Sequence, residues 1–245
     1  MRFFEKRDII STMIEIEKAR LAKMIDHTLL APTAAQAQIE KLCDEAAQNR
    51  FASVCVNPVW VKFCAEKLRG TSVAVCTVIG FPLGADKTEV KAFAASSAVL
   101  DGADEIDMVL NIGKAKEGDF GFVQEDIEQV VRSAKMAGEA NGKKILVKVI
   151  LETCFLTDAE IEKCCLAAAS ARADFVKTST GFAAPKNEKG EPLPNGASVH
   201  NVALMRKTVG SAMGVKASGG IRTEQFALDL IEAGATRLGT SSIIS

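Results

Sequence analysis

The sequence predicts a closed (β/α)8 barrel, and three observations favour that fold. Eight short, mostly apolar segments recur along the 245 residues, helical patterns separate most of them, and polar side chains stand at the ends of several. Alternating strands and helices imply parallel strands with right-handed crossovers, and eight such units in about 250 residues is the usual size of this barrel. A doubly wound open sheet is the alternative, but it would gather the polar residues at one crevice.

Hydrophobic periodicity places the elements in order. An amphipathic helix is predicted over residues 1–22, as an extension that precedes the barrel domain at 23–245. Helical spacing also covers 34–49 and 223–233. The eight predicted strands are bounded by turn residues and lie at 24–29, 52–56, 73–79, 105–110, 145–151, 175–179, 214–218 and 237–239.

Strand parity selects the side chains that face the barrel interior. Because side chains alternate along a strand, Ile106 and Met108 lie on the face that packs under the helices, whereas Asp107 lies on the other face. The same rule sends Lys148 and Glu152 inward from the fifth strand. The interior is therefore expected to collect four charged side chains: Asp107, Lys148, Lys177 and Lys216.

Composition and charge exclude several classes of function. With 30 Lys and Arg against 31 Asp and Glu, no broad basic face is expected for a nucleic acid. No window holds the roughly 18 apolar residues of a membrane span, and the charged N-terminus is unlike a signal peptide, so a cytoplasmic protein without a membrane partner is expected. Seven cysteines without a Cys-x-x-Cys pair predict reduced thiols. Because the chain has only two histidines, no metal site is expected, and no cofactor is expected either.

Lys177 and Lys216, near the ends of consecutive strands, point to amine catalysis. An amine attacks a carbonyl only when unprotonated, and a free lysine with a pKa of ~10.4 keeps less than about 0.1% of that form at neutral pH. Two ammonium groups ~4 Å apart repel by roughly 4 kcal/mol at an effective dielectric constant of about 20, which is equivalent to about 3 pK units. The alternative is a stabilising ion-pair network with Asp107 and Glu152.

Two glycine-containing loops have the composition of a phosphate site. Gly219 and Gly220 follow the seventh strand and lead into a helix, and the segment 239–242, Gly-Thr-Ser-Ser, includes the end of the last strand. Glycine lets backbone N–H groups approach an anion, and the loops after strands 7 and 8 of such barrels often hold a phosphate. Ordinary caps and turns would explain each loop alone, but together the two loops predict a phosphate site.

Five segments of the chain resemble the deoxyribose-phosphate aldolase family. They contain Ile-Asp-His-Thr-Leu-Leu-Ala-Pro, Glu-Ile-Asp-Met-Val-Leu-Asn, Val-Lys-Val-Ile-Leu-Glu-Thr, Phe-Val-Lys-Thr-Ser-Thr-Gly and Val-Lys-Ala-Ser-Gly-Gly-Ile-Arg, at 25–32, 105–111, 147–153, 175–181 and 215–222. The resemblance implies a metal-free class I aldolase on a (β/α)8 barrel, which reversibly cleaves 2-deoxy-D-ribose 5-phosphate to D-glyceraldehyde 3-phosphate and acetaldehyde. It is compatible with a homodimer or a higher homo-oligomer.

The resemblance also assigns catalytic roles. Lys177 would form the Schiff base, and Lys216 would be the second lysine, whose charge keeps the first nucleophilic. Asp107 would move protons together with an ordered water, and Thr180 would join that water network. Lys148 would assist electrostatically, although a structural ion pair explains it equally well.

Further residues are implied near the substrate. Asp26 and Cys55 fall on positions that the family places near the substrate or the reactive centre, although Cys55 is equally explained as a small core residue. The phosphate contacts implied by the motifs are Gly181, Gly219, Gly220, Ser241 and Ser242.

Two features depart from the family pattern and leave competing functions open. The polar segment 182–198 is longer than the usual connection, so it is either a mobile lid or a surface insertion. The sequence holds no tyrosine, so the C-terminal tyrosine that aids proton transfer in some family members has no counterpart in these residues. A phosphosugar-binding barrel without turnover, a transaldolase or isomerase, and a metal-dependent aldolase are the alternatives.

Overall fold

Eight parallel strands close into a barrel in a computed structural model that describes residues 19–240. Each strand pairs with the next in chain order, and β8 pairs back to β1. The strands are β1 Ile25–Leu29, β2 Ser53–Val56, β3 Ala74–Ile79, β4 Glu105–Val109, β5 Leu146–Ile150, β6 Phe175–Lys177, β7 Gly214–Ser218 and β8 Arg237–Thr240. The (β/α)8 fold predicted from the sequence is confirmed.

Helices join the strands on the outside of the barrel. They are α1 Gln36–Asn49, α2 Val61–Lys67, α3 Thr88–Leu100, α4 Ile112–Lys116, α5 Phe120–Ala140, α6 Asp158–Ser170, α7 Val199–Val209 and α8 Glu224–Glu232. Of the helix predicted over 1–22, residues 19–22 are helical and the remainder lies outside the described residues. Across residues 19–240, no helix is both long enough and apolar enough to cross a membrane.

The strand faces follow the predicted parity. Ile106 and Met108 of β4 are fully buried in the apolar layer that also holds Ile127 and Val130 of α5. Burying each such side chain stabilises the fold by about 1.5–3 kcal/mol, so the charged residues of the same strands are left facing the barrel axis.

Strand β6 ends earlier than the sequence predicts, at Lys177 rather than at 179. Past that point a side chain takes over the pairing with the neighbouring strand. The hydroxyl of Thr178 donates to the carbonyl of Ser218 and accepts from its N–H, both at 3.1 Å. The chain therefore leaves the regular ladder immediately after Lys177, at the mouth of the barrel.

A buried ion pair, which the sequence analysis did not predict, ties α3 to α5. Lys91 Nζ lies 2.7 Å from Asp126 Oδ2, and both side chains are inaccessible to solvent. Lys91 also donates to the carbonyl of Val109 at 3.1 Å, at the end of β4, and Thr88 donates to Asp126 Oδ1 at 2.9 Å. The pair therefore fixes the end of the strand that carries Asp107.

We expect Lys91→Met to lower the free energy of unfolding by about 3–5 kcal/mol, because it leaves the Asp126 carboxylate buried without a cation. The double variant Lys91→Met/Asp126→Leu should recover most of that loss. Urea denaturation measures both. Lys67→Met, which breaks the partly exposed pairs with Glu40 and Asp44, is the matched control and should cost much less. Equal losses in the buried and the exposed pair would contradict the prediction.

Candidate active site

Three lysines converge on one buried carboxylate inside the barrel. Lys148 Nζ lies 2.7 Å from Asp107 Oδ1, and Lys177 Nζ and Lys216 Nζ each lie 2.7 Å from Asp107 Oδ2. Strand register brings them together, because Asp107 is the Cα partner of Lys148 and Lys177 is the Cα partner of Lys216. Since Lys177 and Lys216 share one oxygen atom, their nitrogens lie no farther apart than twice that contact distance.

The charges of this cluster fix the protonation of two members. Burial opposes ionisation of Asp107, but the ammonium groups of Lys148, Lys177 and Lys216 outweigh it and hold the pKa of Asp107 well below its usual range. Burial also opposes a charge on Lys216, but the carboxylates of Asp107 and Asp26 outweigh it and raise the pKa of Lys216. At neutral pH, Asp107 is therefore a carboxylate and Lys216 an ammonium.

Thr180 is held at the mouth of the barrel by a second buried carboxylate. Its N–H lies 3.2 Å from each carboxylate oxygen of Glu152, and its hydroxyl donates to Glu152 Oε2. The N–H of Phe182 in turn donates to the Thr180 hydroxyl at 3.0 Å. Burial raises the pKa of Glu152, while the hydrogen bonds from Thr180 and the charge of Lys177 act in the opposite direction.

A cavity of about 220 Å³ joins Lys177 to the glycine loops. Lys177 and Thr180 form one part of its wall, and Gly219, Gly220 and Arg222 form another. The backbones of Gly219 and Gly220 have φ values of 85° and 75°, as does that of nearby Gly181 at 83°, a region that favours glycine. The predicted phosphate residues Ser241 and Ser242 lie outside the described residues.

The segment 182–198 folds back onto the rim of this cavity. An antiparallel bridge joins Lys186 to Pro192, and the N–H of Ala197 donates to the carbonyl of Gly219 at 3.0 Å. Gly196 permits this approach, because a Cβ atom there would collide with the backbone of Gly219. The base of the segment is therefore anchored to the loop that follows β7.

Comparison with known proteins identifies the family. Residues 20–242 match the model described as DeoC/LacD family aldolase, which covers most of the chain. The chain belongs to the DeoC/LacD family of aldolases. The sequence resemblance and the barrel geometry agree with that membership.

Relatives of this aldolase include bacterial and archaeal proteins. The deoxyribose-phosphate aldolase of Geobacillus sp. (strain WCH70) is 55% identical over 225 residues, which are 92% of this chain and 93% of the relative. That of Bacillus mycoides (strain KBAB4) is 51% identical with the same coverage. The structure of deoxyribose phosphate aldolase from Aeropyrum pernix, described as a unique tetrameric structure, matches with a TM-score of 0.80 at 33% identity, over 92% of this chain and 89% of its own.

Sequence reasoning missed two charged residues of the aldolase interior, Glu105 and Arg237. Arg237 Nη1 lies 2.6 Å from Asp26 Oδ1, and Arg237 Nη2 lies 3.1 Å from Glu105 Oε1. Lys148 Nζ lies 2.6 Å from Glu105 Oε2. Parity could have found both, because Glu105 stands two residues before Asp107 on β4 and Arg237 is the Cα partner of Lys216.

Asp26 lies among these charges and is fully buried. Its carboxylate forms an ion pair with Lys216 and accepts a hydrogen bond from Ser53 at 2.7 Å. Burial opposes its ionisation, but the cations of Lys216, Lys148 and Arg237 outweigh it and lower the pKa of Asp26. Asp26 therefore acts on the site through the cations that it contacts, Lys216 among them.

The structure places Cys55 in the wall of the barrel interior. It is fully buried in an apolar cluster with Leu30 and Val78, and it is the Cα partner of Cys76, whose Sγ donates to Asp107 Oδ1 at 3.2 Å. Within residues 19–240, the side chains grouped closely enough to ligate a metal are Cys55, Cys76 and Asp107, and Asp26, Cys76 and Glu105. Every carboxylate in these sets already pairs with a lysine or an arginine, so a metal cation would face ammonium groups at contact distance.

Proposed function

We propose that this chain is a deoxyribose-phosphate aldolase that reversibly cleaves 2-deoxy-D-ribose 5-phosphate to D-glyceraldehyde 3-phosphate and acetaldehyde, with Lys177 as the Schiff-base lysine. The observation that carries the proposal is the position of Lys177. Its nitrogen contacts the buried carboxylate of Asp107, and its side chain lines the cavity that ends at the glycine loops. The printed names of the relatives support the choice of substrate.

A charge count supports Lys177 as the amine. The ion-paired cluster described here holds three carboxylates and four cations: Asp26, Glu105 and Asp107, against Lys148, Lys177, Lys216 and Arg237. Glu152 lies at the mouth of the barrel, forms no ion pair with the described residues, and is not counted in this cluster. Within the described part of the chain, Lys148, Lys216 and Arg237 each contact at least two of these carboxylates, whereas Lys177 contacts one. Loss of a proton from Lys177 leaves the cluster neutral and every carboxylate paired.

The reaction then follows from the free amine. The nitrogen of Lys177 adds to the aldehyde carbon of the open-chain sugar, and loss of water from the adduct gives a protonated imine. The positive imine draws the electrons of the C2–C3 bond as the C3 hydroxyl loses its proton, which releases D-glyceraldehyde 3-phosphate and leaves an enamine on Lys177. Protonation of the enamine carbon and hydrolysis release acetaldehyde and restore the lysine.

Asp107 and Lys216 supply a proton acceptor and a proton donor beside that nitrogen. We assign to them, with an ordered water and the hydroxyl of Thr180, the proton transfers at the imine and at the enamine carbon. Lys148 and Asp26 have a supporting role, because one holds the carboxylate of Asp107 and the other holds the ammonium of Lys216.

The sugar phosphate is assigned to the glycine loops. Backbone N–H groups at Gly181, Gly219 and Gly220 would hold it together with the hydroxyl groups of Ser241 and Ser242. The proposal also includes a cytoplasmic homo-oligomer. The tetrameric Aeropyrum pernix structure supports the assembly, and seven cysteines present as free thiols suit a reducing compartment.

Borohydride reduction in the presence of acetaldehyde tests the proposal directly. The imine on Lys177 should be reduced to a stable N-ethyl lysine, which peptide mass spectrometry locates. Borohydride without acetaldehyde is the control and should leave every lysine unmodified. An adduct on Lys148 or Lys216 instead, or none in folded protein, would refute the assignment of Lys177.

A further inference from the structure

Glu152 is a buried ionisable residue that the chemistry above leaves unused. It follows β5 in a left-handed conformation with a φ of 57°, which is uncommon for a residue with a side chain, and only 1% of it is exposed. Over the described range 19–240 it takes part in no ion pair, and the groups that act on it are Thr180, Lys177 and Cys154. A buried acid without a paired cation, bonded to a residue of the cavity wall, is a candidate for a functional residue.

The hydrogen bonds of Thr180 determine what its hydroxyl can offer to a ligand. A hydroxyl has one donor hydrogen and two acceptor lone pairs. The hydrogen is directed to Glu152 Oε2, and the N–H of Phe182 occupies one lone pair. One lone pair remains, and Thr180 lines the cavity, so a ligand hydroxyl that binds this oxygen must be the donor.

We propose that Glu152 is a positioning residue that takes up, through Thr180 Oγ1, the proton of the sugar hydroxyl that becomes the aldehyde. The inference rests on the proposed aldolase function. As the C2–C3 bond breaks, its electron pair moves into the imine on Lys177 and gives the enamine. The C3 hydroxyl proton passes to Thr180 Oγ1, the hydrogen of Thr180 passes to the Glu152 carboxylate, and the C3 oxygen becomes a carbonyl. Glu152 gains one proton and gives it up to water through Thr180 once the aldehyde has left, which balances the proton that the enamine carbon takes up; in the synthetic direction Glu152 supplies the proton.

Glu152 suits this role better than Asp107 does. Three lysine nitrogens contact the carboxylate of Asp107, each at 2.7 Å, so Asp107 is a weak base, and one of the three belongs to the reacting lysine itself. Glu152 has no such partner, and burial raises its pKa toward that of a useful proton acceptor. The pKa of Asp107 is lowered by its surroundings and that of Glu152 is raised. The two acids therefore divide the proton transfers: Asp107 acts at the nitrogen of Lys177, and Glu152 acts at the departing C3 oxygen.

Four variants and one control test the relay. We expect Glu152→Gln and Thr180→Val each to lower kcat for cleavage by about 10²-fold or more, and the double variant to lose no more than the single ones, because both break one path. Thr180→Ser keeps the hydroxyl and should stay within a few-fold of wild type. Thr153→Val is the matched control, since the buried hydroxyl of Thr153 makes no hydrogen bond within the described residues; it should cleave at the wild-type rate.

Two further measurements separate the relay from a structural role. Imine formation with acetaldehyde involves no C3 hydroxyl, so borohydride trapping on Lys177 should keep its wild-type rate in Glu152→Gln. The pH profile of wild-type cleavage should fall at acidic pH as Glu152 becomes protonated, at a pH above the ordinary range of a glutamate, and that limb should vanish in Glu152→Gln.

The outcomes that would overturn the inference are distinct from failure of the aldolase proposal. Wild-type cleavage rates in both variants, multiplied losses in the double variant, or parallel loss of trapping and cleavage in Glu152→Gln would each overturn the relay while Lys177 remains the trapped residue. Thermal unfolding of each variant accompanies the kinetics, and Thr180→Val retains the backbone N–H that holds Glu152. A wild-type protein that neither cleaves the sugar nor traps acetaldehyde would overturn both.

Discussion

Replacing Lys177 by methionine is expected to lower kcat for sugar cleavage by about 10⁵–10⁶-fold, the loss typical of removing a covalent nucleophile. The variant should also fail to trap acetaldehyde with borohydride. Steady-state release of acetaldehyde measures the first effect and intact-protein mass spectrometry the second. Activity within about 10-fold of wild type would show that another group forms the imine.

The same variant should keep its stability, which distinguishes loss of chemistry from loss of fold. Asp107 would still contact Lys148 and Lys216, so no carboxylate is left without a cation. The remaining three cations would balance three carboxylates. We therefore expect the free energy of unfolding in urea to rise or to stay within about 1 kcal/mol of wild type, in contrast to the loss expected for Lys91→Met. A large destabilisation would contradict the charge count.

The barrel and most of the charged interior could be predicted because both depend on short-range patterns. Side chains alternate between the two faces of a strand, so the apolar neighbours of Asp107 and Lys148 indicate which face these two residues occupy. The alternation of strand and helix predicts parallel strands, and the polar residues at the ends of several strands favour the closed barrel over a doubly wound sheet. Glu105 and Arg237 obey the same rule, and they were missed because a polar residue at the start of a strand is equally typical of a surface position.

The contacts between distant side chains could not be predicted in the same way. Lys91 and Asp126 meet because two helices pack side by side. The hydrophobic periodicity of each helix predicts its apolar face, but it does not specify which polar residues of the two helices contact each other. The bond from Thr180 to Glu152 depends on a left-handed residue after β5, which only glycine would have signalled in the sequence. The structure therefore adds two members of the interior, Glu105 and Arg237, and the pairing of all its charged side chains.

Replacing Lys216 by methionine should remove activity for a reason that the charge count supplies. Without Lys216, the three carboxylates face only Lys148, Arg237 and Lys177, so neutrality of the cluster requires Lys177 as an ammonium. The lost repulsion of roughly 4 kcal/mol at ~4 Å corresponds to about a 10³-fold lower rate at neutral pH. Cleavage and borohydride trapping should fall together, because both need the free amine.

The pH dependence of Lys216→Met decides whether this variant loses activity because the charge of Lys216 is missing or because its shape is missing. We expect its rate to climb with rising pH over a range in which the wild-type rate is flat, because hydroxide removes the proton that the missing cation no longer repels. Lys216→Arg keeps a charge in a different shape, so it should retain the wild-type pH profile even where its kcat is lower. A flat profile for Lys216→Met, or a climbing one for Lys216→Arg, would show that repulsion between two cations is not what frees the nucleophile.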